Sequence, residues 1–185
     1  LTIAGADGSH AYEYRSQFVA WTKRVQADVS IENAPLVFVG YGIVAPEHHW
    51  NDYAGVDMHG KISVILINDP DFATGDDRGF GGRAMTYYGR WTYKFEEAAR
   101  KGAIGALIIH RTDLASYGWG VVRSSWSNEQ VYATHDKDPK LESAAWIQLD
   151  VARKLFAASG LKLDDMLASA GTREFKAREL PVRFT

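Results

Sequence analysis

Two adjacent histidines are the side chains best suited to hold a metal ion in this sequence. His48 and His49 are flanked by Glu47 and Asp52, and imidazole combined with carboxylate suits zinc. Neighbouring side chains on an extended segment point in opposite directions, so one ion cannot easily bind both imidazoles. The His-Glu-x-x-His pattern, which places two histidines on one face of a helix, is absent. We therefore favour a solvated loop over a zinc site here.

Four aspartates offer a second set of ion ligands, because carboxylate oxygens are what calcium prefers. They are Asp69, Asp71, Asp76 and Asp77. Their spacing does not match the calcium loop of a helix-loop-helix site. Residues 71–82 also mix glycines with charged side chains, a composition that predicts a long exposed loop. An exposed acidic loop is favoured, with bound calcium as the alternative.

Covalent and phosphate chemistry find no support. The sequence has no cysteine, which excludes disulfides, thiolate zinc sites and cysteine nucleophiles. It has no Gly-x-Ser-x-Gly elbow to present a serine nucleophile. The glycines of residues 40–42 and 79–82 are not followed by Gly-Lys-Ser or Gly-Lys-Thr, so they predict turns rather than a phosphate loop.

Aromatic side chains are frequent in the middle of the chain. Tyr87, Tyr88 and Arg90 combine rigid amphipathic rings with a planar cation, and Trp119 and Trp126 follow. This composition is enriched at contact surfaces. We therefore predict that these five residues contact another domain or a substrate.

Several strands must position these side chains. Residues 17–25 alternate apolar and polar side chains, and residues 35–44 are rich in β-branched and aromatic ones, so both predict strands. Residues 45–57 have the composition of a loop. The apolar run at 61–68 predicts a strand that is buried on both faces and ends at residues 69–70.

A helix between positions 91 and 101 is the clearest element of the sequence. Its apolar face consists of Trp91, Phe95, Ala98 and Ala99. Its i,i+4 charge pairs are Glu96 with Arg100 and Glu97 with Lys101. Because Trp91 opens the apolar face, we expect it in the core, and we expect Gly102 to end the helix. Residues 103–109 are apolar on both faces, which predicts a buried strand directly after the helix.

The next segment predicts a turn, a strand and a second helix. A polar turn is expected at residues 135–139, and the apolar residues within 146–149 suggest the strand. Asp150 is placed to cap the N-terminus of a helix that stops at Gly160.

The last part of the chain predicts a short helix and a closing strand. The helix is expected to begin at Asp164, and the strand covers residues 175–184, weakened by Pro181. Taken together, the elements predict an α/β (α+β) domain. Its core would be a strand-rich sheet or open β-barrel flanked by two or three helices.

Composition narrows the classes of partner. The 185 residues are 46% hydrophobic, enough to bury a core. Their 21 basic and 23 acidic side chains include no basic run, which disfavours nucleic acid as a partner. No apolar stretch has the roughly 18–20 residues of a membrane span, so no membrane insertion is expected. The sequence opens with Leu1 and lacks a signal-peptide pattern, so we expect it to be part of a longer protein.

Two stretches resemble the pattern of protease-associated domains. Residues 55–62 (GVDMHGKI) resemble the family's G-x-D-x-x-G-K-I strand start. Residues 94–109 (KFEEAARKGAIGALII) resemble its A-x-x-x-G-A-x-G helix end and the strand after it. The physical sense of the second pattern is direct. Gly102 ends the helix in a conformation that glycine adopts cheaply, and Gly105 lets helix and sheet approach closely.

A narrower resemblance is to the inserts of bacterial zinc aminopeptidases related to the transferrin receptor and glutamate carboxypeptidase. It rests on residues 40–46 (GYGIVAP), 83–91 (RAMTYYGRW) and 144–156 (AAWIQLDVARKLF). The resemblance covers about residues 35–161. It implies a protease-associated core there, an extended segment at 1–34 packing on it, and a helix and closing strand at 162–185 returning to the parent catalytic domain.

The resemblance brings no catalytic residue. In that family a separate domain holds two zinc ions through His-x-Asp and Asp-Asn-x-x-Gly contexts, and a Glu-Glu pair supplies the general base. The first two are absent here, and Glu96-Glu97 lies inside a predicted amphipathic helix. We therefore assign no catalytic or zinc-binding residue and no cofactor to this chain. Zinc would belong to the parent catalytic domain, and calcium occurs around comparable domains.

The implied function is that of a non-catalytic insert covering the active site of a secreted, periplasmic or cell-envelope aminopeptidase from a bacterium. Its partners would be the parent catalytic domain and a peptide or protein substrate, contacted through Tyr87, Tyr88 and Arg90. An independent protein- or peptide-binding module is the first alternative. A small hydrolase that uses the region of His48, His49 and Asp52 is the second.

Overall fold

One curled sheet of eight strands, a half-barrel, forms the centre of the molecule. The computed structural model describes residues 1–6, 8–77, 79–132 and 137–185. The strands are β1 (Thr2–Gly5), β2 (Gly8–Ala11), β3 (Phe18–Trp21), β4 (Ala34–Phe38), β5 (Val44–Ala45), β6 (Trp50–Asn51), β7 (Ile62–Leu66), β8 (Gly105–Ile109), β9 (Ser143–Ile147) and β10 (Arg178–Phe184). The helices are α1 (Pro70–Thr74), α2 (Trp91–Arg100), α3 (Thr112–Ala115), α4 (Trp119–Trp126), α5 (Leu149–Ala158) and α6 (Leu163–Ala170).

The sheet combines a parallel centre with antiparallel borders. Its strand order is β2-β1-β10-β4-β7-β8-β9-β3, and β5 pairs with β6 in a separate hairpin. The strands β4, β7, β8 and β9 are parallel, whereas β10, β1 and β2 on one side and β3 on the other pair antiparallel. Helix α2 connects β7 to β8, and α5 and α6 connect β9 to β10. The predicted fold class is confirmed, although the helices outnumber the two or three expected.

Residues of the central strands face two cores alternately. Val64 in β7 packs in one core with Phe156 of α5, whereas Ile65 packs in the other with Phe95 of α2. Every residue of β7 and β8 is buried. This confirms the two strands predicted within residues 61–68 and 103–109, since a parallel sheet covered on both faces needs apolar side chains at consecutive positions.

The predicted helix is confirmed as α2. Phe95 and Ala98 are buried, and Trp91 is half-buried against the same core. Gly102 follows with a φ of +86°, a left-handed conformation that strains other residues. The two predicted ion pairs are present, with N–O distances of 3.9 Å for Arg100–Glu96 and 3.5 Å for Lys101–Glu97.

Two details at the start of α5 differ from the prediction. Leu149 opens the helix instead of ending β9. The N-cap is Gln148, without a side-chain cap bond, and Asp150 lies in the first helical turn. A carboxylate in the first turn interacts favourably with the positive end of the helix dipole. Asp150 therefore still marks the start of the helix, two residues after the actual N-cap. Gly160 follows the helix with a φ of +70°, as expected.

The closing strand is present and irregular. In β10 the pairing with β4 shifts register between Leu180 and Arg183, at the position of Pro181. Proline has no N–H to donate to a neighbouring strand, so the ladder is interrupted there. The preceding helix, α6, begins at Leu163, one residue before the predicted start.

Several elements were not expected. They are β1, β2, α1, α3, α4 and the β5–β6 hairpin, which begins at Val44 and otherwise lies in the region predicted to be a loop at residues 45–57. The exposed loop predicted at 71–82 is wrong in part, because Asp71 and Phe80 are buried and the segment begins inside α1. The predicted turn at 135–139 lies partly outside the described residues. In the described part of the chain, no helix has the length and apolar character needed to cross a membrane.

Candidate contact surface and the buried ion network behind it

The segment that carries Tyr87, Tyr88 and Arg90 connects β7 to α2 and turns back over the end of the sheet. Residues 87–89 form a short 3-10 turn directly before α2. Tyr87 is 56% exposed, and its hydroxyl donates a 2.9 Å hydrogen bond to Glu96. Tyr88 is half-buried and donates to Glu47, while Arg90 is exposed. We call Tyr87, Tyr88 and Arg90 the tyrosine–arginine surface.

A layer of rings supports this surface from below. Tyr93 of α2 contacts Tyr87 and Tyr88 edge-on, with ring centroids 5.6 and 5.0 Å apart. The Phe80 ring packs edge-on against Tyr88, with ring centroids 6.0 Å apart. The hydroxyl of Tyr93 accepts a hydrogen bond from the Val44 amide at 3.0 Å, which fixes the supporting ring. Rings held in this way present a contact surface with little side-chain entropy left to lose on binding.

The two tryptophans predicted with this surface lie in a different cluster. Trp126 of α4 stacks on Trp21 of β3 with ring centroids 4.3 Å apart. It also packs edge-to-face with Trp91, with ring centroids 4.5 Å apart. Trp119 donates from its indole nitrogen to the carbonyl of Arg15 at 2.9 Å. No ring contact among the described residues joins these tryptophans to the tyrosine–arginine surface. They pack α4 onto the sheet.

The histidine region is occupied by packing contacts. The His48 ring lies 4.9 Å from Phe80, and its carbonyl accepts a 2.6 Å hydrogen bond from Arg173. His49 is exposed and has a φ of +51°. Asp52 is buried, and its carboxylate accepts from the Trp50 indole at 2.8 Å and from the Ile43 amide at 2.9 Å.

The four candidate calcium ligands are divided between the interior and the surface. Asp69 and Asp71 are buried, whereas Asp76 and Asp77 are exposed. Asp71 accepts from the Phe80 amide at 2.8 Å. Asp77 accepts from two glycine amides of its own loop, each at 3.2 Å. Within residues 1–6, 8–77, 79–132 and 137–185, no three His, Asp or Glu side chains converge as metal ligands would.

A lysine that the sequence analysis missed lies behind the tyrosine–arginine surface. Lys94 of α2 is fully buried, and its ammonium donates a 2.5 Å hydrogen bond to the carbonyl of Tyr41. The ammonium also lies 5.8 Å from the centre of the Tyr41 ring. Its position gave a usable signal, because Lys94 comes three residues after Trp91 and four before Ala98, on the apolar face of the helix.

Burial and charge oppose each other at this lysine. Burial lowers the pKa of Lys94, although the negative charges of Asp52 and Asp69 act in the opposite direction. Burial likewise raises the pKa of Asp52, opposed by hydrogen bonds and by the Lys94 charge. Burial also raises the pKa of Asp69. We call these three buried side chains, Lys94, Asp52 and Asp69, the buried ion network.

Asp69 links this network to the tyrosine–arginine surface. Its Oδ2 atom accepts from both the amide and the hydroxyl of Thr86, at 3.1 and 2.9 Å. The backbone amide of Asn68 donates a 3.0 Å hydrogen bond to the carbonyl of Gly89. Gly89 lies so close that a Cβ there would approach Asn68 Oδ1 at 2.9 Å and Asp69 Oδ2 at 3.1 Å. Hydrogen bonds therefore hold residues 86–89 against the residues that follow β7.

The two glycine-containing motifs meet at the opposite end of β7. Ile62 lies opposite Gly105 in the parallel pairing of β7 and β8, and the amide of Ile104 donates to the carbonyl of Lys61 at 3.0 Å. A Cβ at Gly105 would come within 2.7 Å of Ile62 Cδ1. A Cβ at Gly102 would come within 2.8 Å of the His59 ring.

No protein-family model and no curated protein matches the chain. Among solved structures, the aminopeptidase from Aneurinibacillus sp. strain AM-1 is similar at 19% sequence identity and a TM-score of 0.35. The likeness covers 90% of this chain and 31% of that one, so this chain spans about a third of the length of the aminopeptidase that it matches.

Proposed function

We propose that this chain is a protease-associated domain of a zinc-dependent aminopeptidase, which covers the active site and influences substrate access without catalysing the reaction. The supporting observation is that the two stretches resembling the family pattern, residues 55–62 and 94–109, come together at adjacent strands. Residues 55–62 lead into β7, and residues 94–109 contain the end of α2 and all of β8, the strand that pairs in parallel with β7. Gly102 and Gly105 each occupy a place where a larger residue would be strained or would collide, which gives both glycines of the motif a physical reason.

The pairing of β1 with β10 is compatible with insertion into another domain. Ile3 lies opposite Phe184, and the amides of Thr2 and Thr185 bond each other's carbonyls at 2.7 and 3.0 Å. A polypeptide that enters at β1 and leaves after β10 therefore does both at one place. A host domain could accept such a unit without separating its own chain ends.

The tyrosine–arginine surface is the part of the molecule that we assign to contact with the catalytic domain or with a peptide substrate. It offers exposed aromatic and cationic side chains on a fixed backbone, the composition found in the energetic centres of interfaces. Met85, 39% exposed, adds apolar area beside it. The same exposure also favours the second candidate, a module that binds protein or peptide without any peptidase, which would bind its partner as an isolated domain.

Turnover of a panel of aminoacyl-nitroanilides tests the proposal. The purified 185-residue chain, with and without added zinc, is compared with the full-length peptidase of which we propose it is part. We expect activity in the full-length protein only. Zinc-dependent turnover by the chain alone, abolished by His48→Ala or His49→Ala, would establish a small metalloenzyme and refute the proposal.

A second comparison tests the surface itself. In the full-length protein, Tyr87→Ala and Arg90→Ala should each lower kcat/KM by at least about fivefold, the usual effect of truncating an energetically important contact. Tyr14→Ala is the matched control, because Tyr14 is also an exposed tyrosine, at 46%. Equal kcat/KM in all three variants would remove the contact role.

A further inference from the structure

A small cavity lies between α2 and β3, the last strand of the sheet. Trp21, Trp91 and Phe95 line it, together with Ala99 and Ala144. Phe95 and both alanines are buried, and the two tryptophans are half-buried. We call this space the tryptophan cavity.

The aromatic walls of the cavity are fixed by contacts with one another. Trp21 packs edge-on against Phe95, with ring centroids 5.3 Å apart, and Trp91 contacts the same phenylalanine with centroids 6.4 Å apart. Trp126 stacks on Trp21 and packs edge-to-face with Trp91. Because no wall ring can turn into the cavity without losing such a contact, the cavity is preformed, as ligand sites usually are.

The size of the tryptophan cavity selects the kind of side chain that can enter it. Its volume is about 70 Å³. This is about the share of two molecules of liquid water, and about half of the roughly 150 Å³ in which an engineered cavity of another protein binds benzene. An aromatic ring is therefore too large, whereas the branched end of a valine or leucine side chain fits between the rings.

Glu96 lines the cavity with a carboxylate that is only partly engaged. Both of its contacts use Oε2, which accepts from the Tyr87 hydroxyl at 2.9 Å and lies 3.9 Å from a guanidinium nitrogen of Arg100. Within the described residues, Oε1 of Glu96 makes no hydrogen bond or ion pair. A ligand ammonium could therefore bind this oxygen without displacing the existing contacts.

Positively charged side chains also line the cavity. Lys23 and Lys140 are among them, and in the described part of the chain neither ammonium pairs with a carboxylate. Lys23 lies over the ring of Tyr132, 4.9 Å from its centre, a contact that does not neutralise its charge. Asp138 adds a second carboxylate to the lining. Two acidic and two basic side chains suit a ligand that carries both charges, because a simple anion or cation would face like charges.

We propose that the tryptophan cavity binds a free amino acid with a branched aliphatic side chain, such as leucine. The side chain enters between the rings, the ammonium bonds Oε1 of Glu96, and the carboxylate pairs with Lys23 or Lys140. This binding requires no catalytic domain. The inference therefore goes beyond the proposed function, and either can fail without the other.

Titration of the 185-residue chain with L-leucine tests the site, because two tryptophans form its walls. In nuclear magnetic resonance spectra, the indole N–H signals of Trp21 and Trp91 should shift and saturate in the millimolar range. The signal of Trp50, which lies in the other core, should not shift. Absence of a saturable shift at Trp21 and Trp91 would overturn the proposal.

Leucine analogues that each lack one group test the assigned contacts. Isocaproate lacks the ammonium, isopentylamine lacks the carboxylate, and glycine lacks the side chain. Each should bind at least about tenfold more weakly than leucine, the factor expected for losing a charge-assisted or a buried apolar contact. N-acetyl-leucine amide has neither charge and imitates leucine within a peptide. If it bound as tightly as leucine, the cavity would be a peptide site and the proposal would be wrong.

A variant of Glu96 tests the ammonium contact directly. Glu96→Gln keeps an acceptor for the Tyr87 hydroxyl and removes the charge, so it should weaken leucine binding by about tenfold or more without weakening the binding of isocaproate. The matched control, Glu174→Gln, removes an exposed carboxylate outside the cavity lining and should bind leucine as the unmodified chain does. Equal leucine affinity in the two variants would refute the inference. The analogue series uses the unmodified chain, so the test does not depend on the folding of Glu96→Gln.

Discussion

Replacing Gly105 with alanine tests whether the motif glycine exists for close packing. A Cβ at this position would lie 2.7 Å from Ile62 Cδ1 and 3.1 Å from the carbonyl oxygen of Ser143. The Ile62 methyl is the end of a side chain, but that side chain is fully buried and has little room to turn. The Ser143 oxygen belongs to β9, so relieving the second contact requires a shift of the backbone between two paired strands.

The expected cost is that of inserting one methyl group into a filled core. Such overpacking costs typically about 1–3 kcal/mol, and we place Gly105→Ala in that range because one of its two close contacts is backbone. For a chain of this length, 1 kcal/mol lowers Tm by roughly 2–4 °C. Urea and thermal unfolding followed by circular dichroism measure both quantities.

Gly120→Ala is the matched control. Gly120 lies in the first turn of α4 with open space around its Cα, so a methyl group there meets nothing. Alanine forms helices better than glycine, so this variant should be neutral or up to about 1 kcal/mol more stable. If Gly105→Ala were as stable as Gly120→Ala, close approach would not be the reason for glycine in the motif.

Two further predictions concern packing and pH. Trp126→Ala should lower the free energy of unfolding by about 2 kcal/mol, because it removes the stacked contact with Trp21. Val121→Ala, on the exposed side of α4, should change this free energy little, and urea unfolding compares the two variants. Burial lowers the pKa of His110 below its ordinary value of 6.5, so the unfolded chain binds a proton first as the pH falls through that value, and stability is lost in acid. His110→Gln, which keeps a donor for the Tyr117 carbonyl, should make stability less dependent on pH in urea unfolding between about pH 5 and 8, and an unchanged slope would contradict this assignment.

The elements that could be predicted are those whose pattern is local and dense. In α2 the apolar spacing, the ion pairs and the terminal Gly102 all indicate the same helix. The opposite holds for α4, which contains a glycine, β-branched residues and serines, none of them a strong helix former. That helix is stabilised by distant contacts, above all the stacking of Trp126 on Trp21, and no local rule reveals such a partner.

The site shows the same division. The exposed tyrosine and arginine at positions 87 and 90 could be selected from composition alone, and the structure places both on the surface. The burial of Asp69 could not be foreseen, because aspartate next to proline in a glycine-rich region usually faces water. Its burial is made possible by Thr86, 17 residues later, which supplies two hydrogen-bond donors to its Oδ2 atom.

The pairing of β1 with β10 also affects how the domain folds. Bringing Ile3 beside Phe184 closes a loop that includes almost the whole chain. By the logarithmic dependence of loop entropy on length, this closure costs on the order of 4–5 kcal/mol, and strand pairs of such large sequence separation form late. A host protein that holds both ends together would remove most of that entropy loss before folding begins. The same sequence would then unfold less readily inside its host than as a free chain.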